Sequence, residues 1–173
     1  MRHSLLVGLA GLGLLLVPGR AEAQWSLRLA LEAPLYSHVS SNGQSSSVGI
    51  NESFQPTLDL IGSWFFAGSL ALDLELRRGI AATGGYPRQE TWLGPGVTLD
   101  VPTFPLYGRA SLPIQLEDGT RLFLRVGGGL KILDVAFIRV YLELTADLGL
   151  AGGGVSAFGS QAVNAALGVW FKI

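Results

Sequence analysis

The sequence contains no cysteine. That excludes a disulfide framework and any thiolate metal centre. Histidine is nearly absent as well, with only His3 and His38. Charged residues make up 14% of the chain, with no large excess of either sign. So even a balance argues against a nucleic-acid-binding surface. Beyond residue 23 no apolar run approaches 18 residues, so no stretch reads as a transmembrane helix. Nor does a cofactor motif stand out. "GPG" at 94–96 and "VGGGL" at 126–130 lack the Lys-Ser/Thr and the following helix of a phosphate-binding loop. Acidic loop residues are too sparse for a calcium site.

What is present begins with a processing signal. Arg2, an apolar run from Leu5 to Val17, Pro18-Gly19 and Ala21-Glu22-Ala23 form a basic head, a short apolar stretch and a small-residue cleavage site. This is the pattern of a secretory signal peptide over 1–23. The apolar stretch is shorter than the roughly 20 residues of a membrane span. Cleavage after Ala23 leaves one domain, 24–173, carrying ten basic and twelve acidic residues and the single histidine His38. The full chain is 49% hydrophobic, with a mean hydropathy of +0.41. An exported chain this apolar, without a helical span, needs another way to bury its leucines.

The stretch "SLALDLELRRG", 69–79, shows the way. Leu70, Leu72, Leu74 and Leu76 alternate with Ala71, Asp73, Glu75 and Arg77. A period of two gives a strand one clean face and would smear around a helix. The pattern recurs in eight segments, near 24–36, 54–65, 69–79, 91–101, 105–117, 120–132, 136–149 and 161–173. Their length suits tilted membrane-crossing strands. Connections alternate long and short, as in an up-and-down meander, with "EDGT" at 117–120 a tight exception.

The charges decide which face is outside. Eight bases lie on the polar phase: Arg28, Arg77, Arg109, Arg121, Arg125, Lys131, Arg139 and Lys172. Eight acids join them: Glu32, Asp59, Asp73, Glu75, Asp100, Glu117, Glu143 and Asp147. The leucine phase carries none. A soluble lipocalin-like barrel would point the leucines inward and the charges to water. A membrane barrel points the leucines at lipid and must neutralise its own interior. The balance of eight against eight predicts the second. Aromatic residues at the short-turn rim, Trp25, Trp64, Phe65, Phe66, Phe104, Phe137 and Phe171, fit an interfacial girdle. The fold expected is an all-β, eight-stranded antiparallel transmembrane barrel. Strand one pairs with strand eight, and both chain ends lie on one rim.

With these features the chain resembles the small eight-stranded outer-membrane β-barrels of Gram-negative bacteria, the OmpA- and OmpX-like group. The final "VNAALGVWFKI" is similar to the terminal strand that the barrel assembly machinery reads in that family, with Phe171 two residues before Ile173. The resemblance implies a monomer in the outer membrane, surrounded by lipid and lipopolysaccharide, with no cofactor. Barrels of this kind serve as anchors, adhesins, narrow pores and lipid-modifying enzymes, so the role stays open between them.

Two candidate sites follow. The lumen charges form either a structural plug or the wall of a narrow pore; an eight-stranded interior is just wide enough to be filled. His38, beside Ser37 or Ser41 and upstream of Glu52, is the weaker candidate. Lipid A acyl-modifying enzymes on this fold use such a trio, but Ser is common in a loop of this composition. The loops 37–53, 79–90 and 151–160 are the remaining contact surface.

Overall fold

The computed structural model describes residues 24–41, 44–49, 56–80, 90–117, 120–152 and 159–173. The expected signal peptide at 1–23 and Glu52 lie outside them. Among the described residues ten strands form in chain order: β1 (Gln24–Ser41), β2 (Gln44–Gly49), β3 (Thr57–Phe65), β4 (Leu70–Gly79), β5 (Thr91–Asp100), β6 (Leu106–Ser111), β7 (Ile114–Gln115), β8 (Arg121–Val135), β9 (Ile138–Ala151) and β10 (Ser160–Lys172). All pairings are antiparallel, in the order β10-β9-β8-β6-β5-β4-β3-β1-β2 with β7 between β5 and β8, and β10 returns to β1 with Leu27 opposite Phe171 and Leu31 opposite Leu167. Closure of β10 on β1 leaves the ring of staves without an open edge, which a bilayer requires; β2 pairs with β1 alone. The barrel has eight staves, because β6 and β7 share one place between β5 and β8.

That shared stave was expected as one strand. Pro113 divides it, since proline has no N–H for the ladder. The chain re-pairs around the break: Leu112 N–H donates to the Pro95 carbonyl at 2.9 Å and Phe123 N–H to the Pro113 carbonyl at 2.9 Å. A second difference lies beyond residue 36. The expected loop is a hairpin, in which β1 runs on and pairs with β2 from Tyr36–Gly49 to Ser41–Gln44. The signal was present as Asn42-Gly43, the strongest two-residue hairpin dipeptide.

Short connections at 66–69, 101–105 and 136–137 share a rim with the start of β1 and the end of β10, where Ile173 N–H donates to the Trp25 carbonyl at 2.8 Å. The molecule is inverted relative to a water-soluble protein. Leu70, Leu72, Leu74 and Leu76 point outward, with Leu74 59% exposed, while Asp73, Glu75 and Arg77 are buried. The outward face of β1, β5, β9 and β10 is likewise built of leucine and valine. An apolar surface this continuous has no stable place in water, so the lipocalin-like alternative is overturned: its leucines would have to fill the interior.

Candidate functional site in the barrel lumen

The lumen is built from alternate residues of every stave, so strand parity alone delivers each polar side chain to the axis. From the short-turn rim toward the loops, the charges form four linked groups.

At the rim, Asp100 on β5 accepts from Lys131 Nζ at 2.8 Å and Arg139 Nη1 at 2.7 Å. Arg139 also donates to Asp134 through Nε at 3.0 Å and Nη2 at 2.6 Å, and Lys172 reaches the same carboxylate at 2.7 Å. Above it, Arg28 Nη2 donates to Ser63, Asp73 and Thr98 at 3.0, 2.8 and 2.8 Å. The Arg28 and Arg139 guanidinium groups lie 4.7 and 4.5 Å from the ring centre of Trp170. Tyr107, Tyr141 and Trp170 meet edge to face around this pair.

At mid-height Arg109 bridges Glu75 at 2.5 Å and Glu143 at 3.0 Å, with Asp59 at 3.5 Å. Ser111 and the Tyr107 hydroxyl donate to those two glutamates at 2.7 and 2.5 Å. Toward the loops Arg125 grips two carboxylates with paired bonds. Its Nε and Nη2 hold Asp147 at 2.6 and 3.0 Å, and its Nη1 and Nη2 hold Glu32 at 2.9 Å each. Its Nη1 also reaches Glu75 at 3.0 Å, which links this group to the one below. Arg77 joins Glu32 and Asp147 at 3.2 and 3.1 Å and lies 4.5 Å from the Trp92 ring centre. Trp92 and Phe123, 4.6 Å apart, are buried beside it. Fork-shaped pairs of this kind are the strongest ion-pair geometry and fix direction as well as charge. In a dry interior each charge needs such partners, because an uncompensated one is costly.

Three of the sixteen expected lumen charges stand apart. Glu117 sits on the loop rim rather than inside, and accepts from the Thr91 N–H at 2.6 Å. Hydrogen bonds from Thr91 hold its carboxyl below the usual carboxylate range. Arg121 is half-buried near the same rim and forms no ion pair among the described residues. Both follow where the strand ends, a boundary that alternation does not mark. Lys172 is at the opposite mouth, partly exposed against Asp134. Among the girdle aromatics Phe65 is a correction: it turns inward and stacks on Trp170 with ring centres 6.0 Å apart. It ends β3 on the inward phase of Ile61 and Ser63. Trp25, Trp64, Phe66, Phe104 and Phe137 are exposed at the short-turn rim, and Phe171 is half-buried there. Trp25 stacks on Trp64, with centres 6.4 Å apart.

Sequence reasoning did not assign roles to Trp92, Tyr107, Phe123, Tyr141 or Trp170, nor to Ser63, Thr98 and Ser111. Their parity is the signal, since all share the phase of the charges. The rings are admitted by glycine on the neighbouring stave. A Cβ on Gly129 would meet the Tyr107 ring at 2.4 Å, and one on Gly168 would meet Tyr141 at 2.5 Å.

His38 is brought against Ser47 of the β1–β2 hairpin, its Nδ1 at 2.8 Å from the Ser47 Oγ, and not against the neighbouring Ser37; the Ser41 side chain lies outside what the structure describes. The Tyr36 hydroxyl lies 3.2 Å from the same oxygen. No acid joins them among the described residues.

No family model and no curated protein sequence matches the chain. Solved structures do. The chain is similar to Neisserial surface protein A (NspA) at 10% identity and a TM-score of 0.56, over 86% of this chain and 97% of that one. The N-terminal β-barrel domain of Pseudomonas aeruginosa OprF aligns at 11% identity and a TM-score of 0.52, over 88% and 100%. Ail, the attachment invasion locus protein of Yersinia pestis, solved with the heparin analogue sucrose octasulfate, aligns at 10% and 0.52, over 88% and 99%. At such identities the likeness is one of backbone, and the fold is that of the small eight-stranded outer-membrane β-barrels.

Proposed function

We propose that the chain is a closed outer-membrane barrel with a structural or surface-contact role, exported through its signal peptide and inserted by the barrel assembly machinery as a monomer. The observation that carries this reading is the Arg109–Arg125 network. It crosses the lumen from β6 and β8 to carboxylates on β1, β4 and β9 and fills the axis with bonded side chains. An eight-stranded interior so filled supports a plug over a conducting path. In planar bilayers the purified protein should give no reproducible conductance steps. Regular steps under voltage would favour the narrow-pore alternative and overturn the closed reading.

The contact surface is the loop rim with its Ser-, Asn- and Gly-rich segments, which suit neutral sugars of lipopolysaccharide. Ail was solved with a sulfated ligand, but the loop rim here offers few cations, Arg78 and Arg121 among the described residues, which gives little support for a polyanionic glycan. We read the His38–Ser47 pair as non-catalytic: among the described residues no acid orients the imidazole, and Glu52 lies outside them. Lipid A from cells with and without the protein should show the same acyl pattern by mass spectrometry; a lost acyl chain would reverse this.

A further inference from the structure

Two prolines on neighbouring staves weaken the barrel wall at one place. In an antiparallel ladder a hydrogen-bonded pair of residues exchanges two N–H···O bonds. Leu112 N–H donates to the Pro95 carbonyl, but Pro95 has no N–H to return to Leu112. Phe123 N–H donates to the Pro113 carbonyl, and Pro113 has none to return to Phe123. The two half-bonded pairs fall on consecutive residues of one stave, 112 and 113, and face opposite neighbours, β5 and β8. Beyond them the stave continues only as β7, two residues long, between Trp92 and Leu93 on one side and Arg121 and Leu122 on the other. Its outward residues Leu112, Ile114 and Leu116 are exposed. Where it meets β5, a Cβ on Gly94 would touch the Leu112 carbonyl at 2.5 Å, so this contact is backbone against glycine with no side chain interlocked. At the loop end Leu116 N–H donates to the Thr91 carbonyl at 2.9 Å, and the Glu117 carboxylate accepts from the Thr91 N–H at 2.6 Å. The ladders on either side of β4, by contrast, run unbroken from Thr57–Gly79 to Phe65–Ala71 and from Leu70–Leu99 to Arg78–Thr91.

We propose that residues 112–117 form a strap that swings out of the barrel wall as a unit, hinged at Ser111-Leu112 and latched by Glu117 on Thr91, while the other seven staves stay closed. Segments held by few backbone bonds and little packing are the ones that open locally. The open strap uncovers the inward residues beside Gln115. Trp92 is its rung neighbour on β5, Phe123 lies against Trp92, and the Arg77 guanidinium sits over the Trp92 ring. Water and small solutes then reach the loop-side half of the lumen through the wall, although bonded side chains fill the axis. Opening of the strap does not depend on whether the axis conducts.

The test is residue-resolved amide hydrogen exchange by NMR on the full folded chain in lipid nanodiscs. The probes are the Leu112, Leu116 and Phe123 N–H groups, each bonded across an edge of the strap. The controls are the Leu74, Leu76 and Arg78 N–H groups of β4, which share its rungs through β5. The three probes should exchange at one common opening free energy and faster than the controls. Simple fraying of the rim would instead give a gradient, with Leu116 fast and Leu112 as slow as Leu74. P113A supplies a donor for the Phe123 carbonyl and should slow the probes about fivefold, the worth of one backbone hydrogen bond. E117A removes the latch at an exposed rim position and should speed them about tenfold. The controls should hold their rates in both variants. If P113A does not fold, the parent and E117A decide. Equal exchange of probes and controls, a gradient from the rim, or probes unmoved in a folded P113A or in E117A each overturns the proposal.

Discussion

Arg125 is the residue on which the lumen depends most. It is fully buried and serves three carboxylates, Asp147 and Glu32 through paired bonds and Glu75 through one. Removing one member of a buried ion cluster leaves the others unpaired, at a typical cost of about 3–5 kcal/mol. R125M should therefore lower the unfolding free energy by about that amount in urea titrations of the folded protein in micelles. R125M/D147N should lose less than the two single changes together, since each already breaks the same contacts. A loss within the scatter of the parent would mean that the charges do not act as one network. That Arg125 is internal was legible from its alternation with Leu124 and Val126. That its partners are Glu32 and Asp147 was not, because Glu32 is 93 residues away and meets it only across a closed barrel.

At the scale of the strand pair, the packing device is a tyrosine laid over a glycine. Tyr107 on β6 faces Gly129 on β8, and Tyr141 on β9 faces Gly168 on β10. G168V would drive a side chain into the Tyr141 ring and the Ala30 Cβ, the latter 2.8 Å from a Cβ at this position. Overpacking of this kind costs about 1–3 kcal/mol. The control is G62V on β3, where a Cβ meets nothing within 4 Å. Urea unfolding should separate the two variants; equal losses would show that the glycines serve the strand backbone and not the rings. Parity predicted the inward course of these strands, and glycines inside strands were legible as marks of close packing. Which ring each glycine admits was not, since it depends on register between staves. The same holds for the break at Pro113: its lost N–H is a local fact, but the re-pairing through Pro95 and Phe123 needs both neighbouring strands.

On the scale of the whole molecule the bilayer acts as solvent. Leu74 lies near the middle of β4, opposite Pro95, and is 59% exposed. L74R should cost about 2–4 kcal/mol when the barrel folds into lipid bilayers, as expected of a cation placed at mid-depth. The same variant in a leucine-filled soluble barrel would abolish the fold, so a modest loss with retained closure discriminates the two. By itself the sequence determined the number of staves, the phase of each and the balance of charge, because a period of two is a local property of the chain. It also placed the polar phase inside, because a chain with a pure leucine phase and self-balanced acids and bases has one consistent solvent for each face. The tertiary structure alone decided which carboxylate each arginine holds, that Phe65 turns into the lumen, and that Glu117 and Arg121 stand at the rim. It also left Trp170 Nε1 and Ser26 Oγ buried without a hydrogen-bond partner among the described residues. Those outcomes depend on the stagger of eight staves around a closed ring, and stagger is set by distant strands meeting rather than by any stretch of sequence.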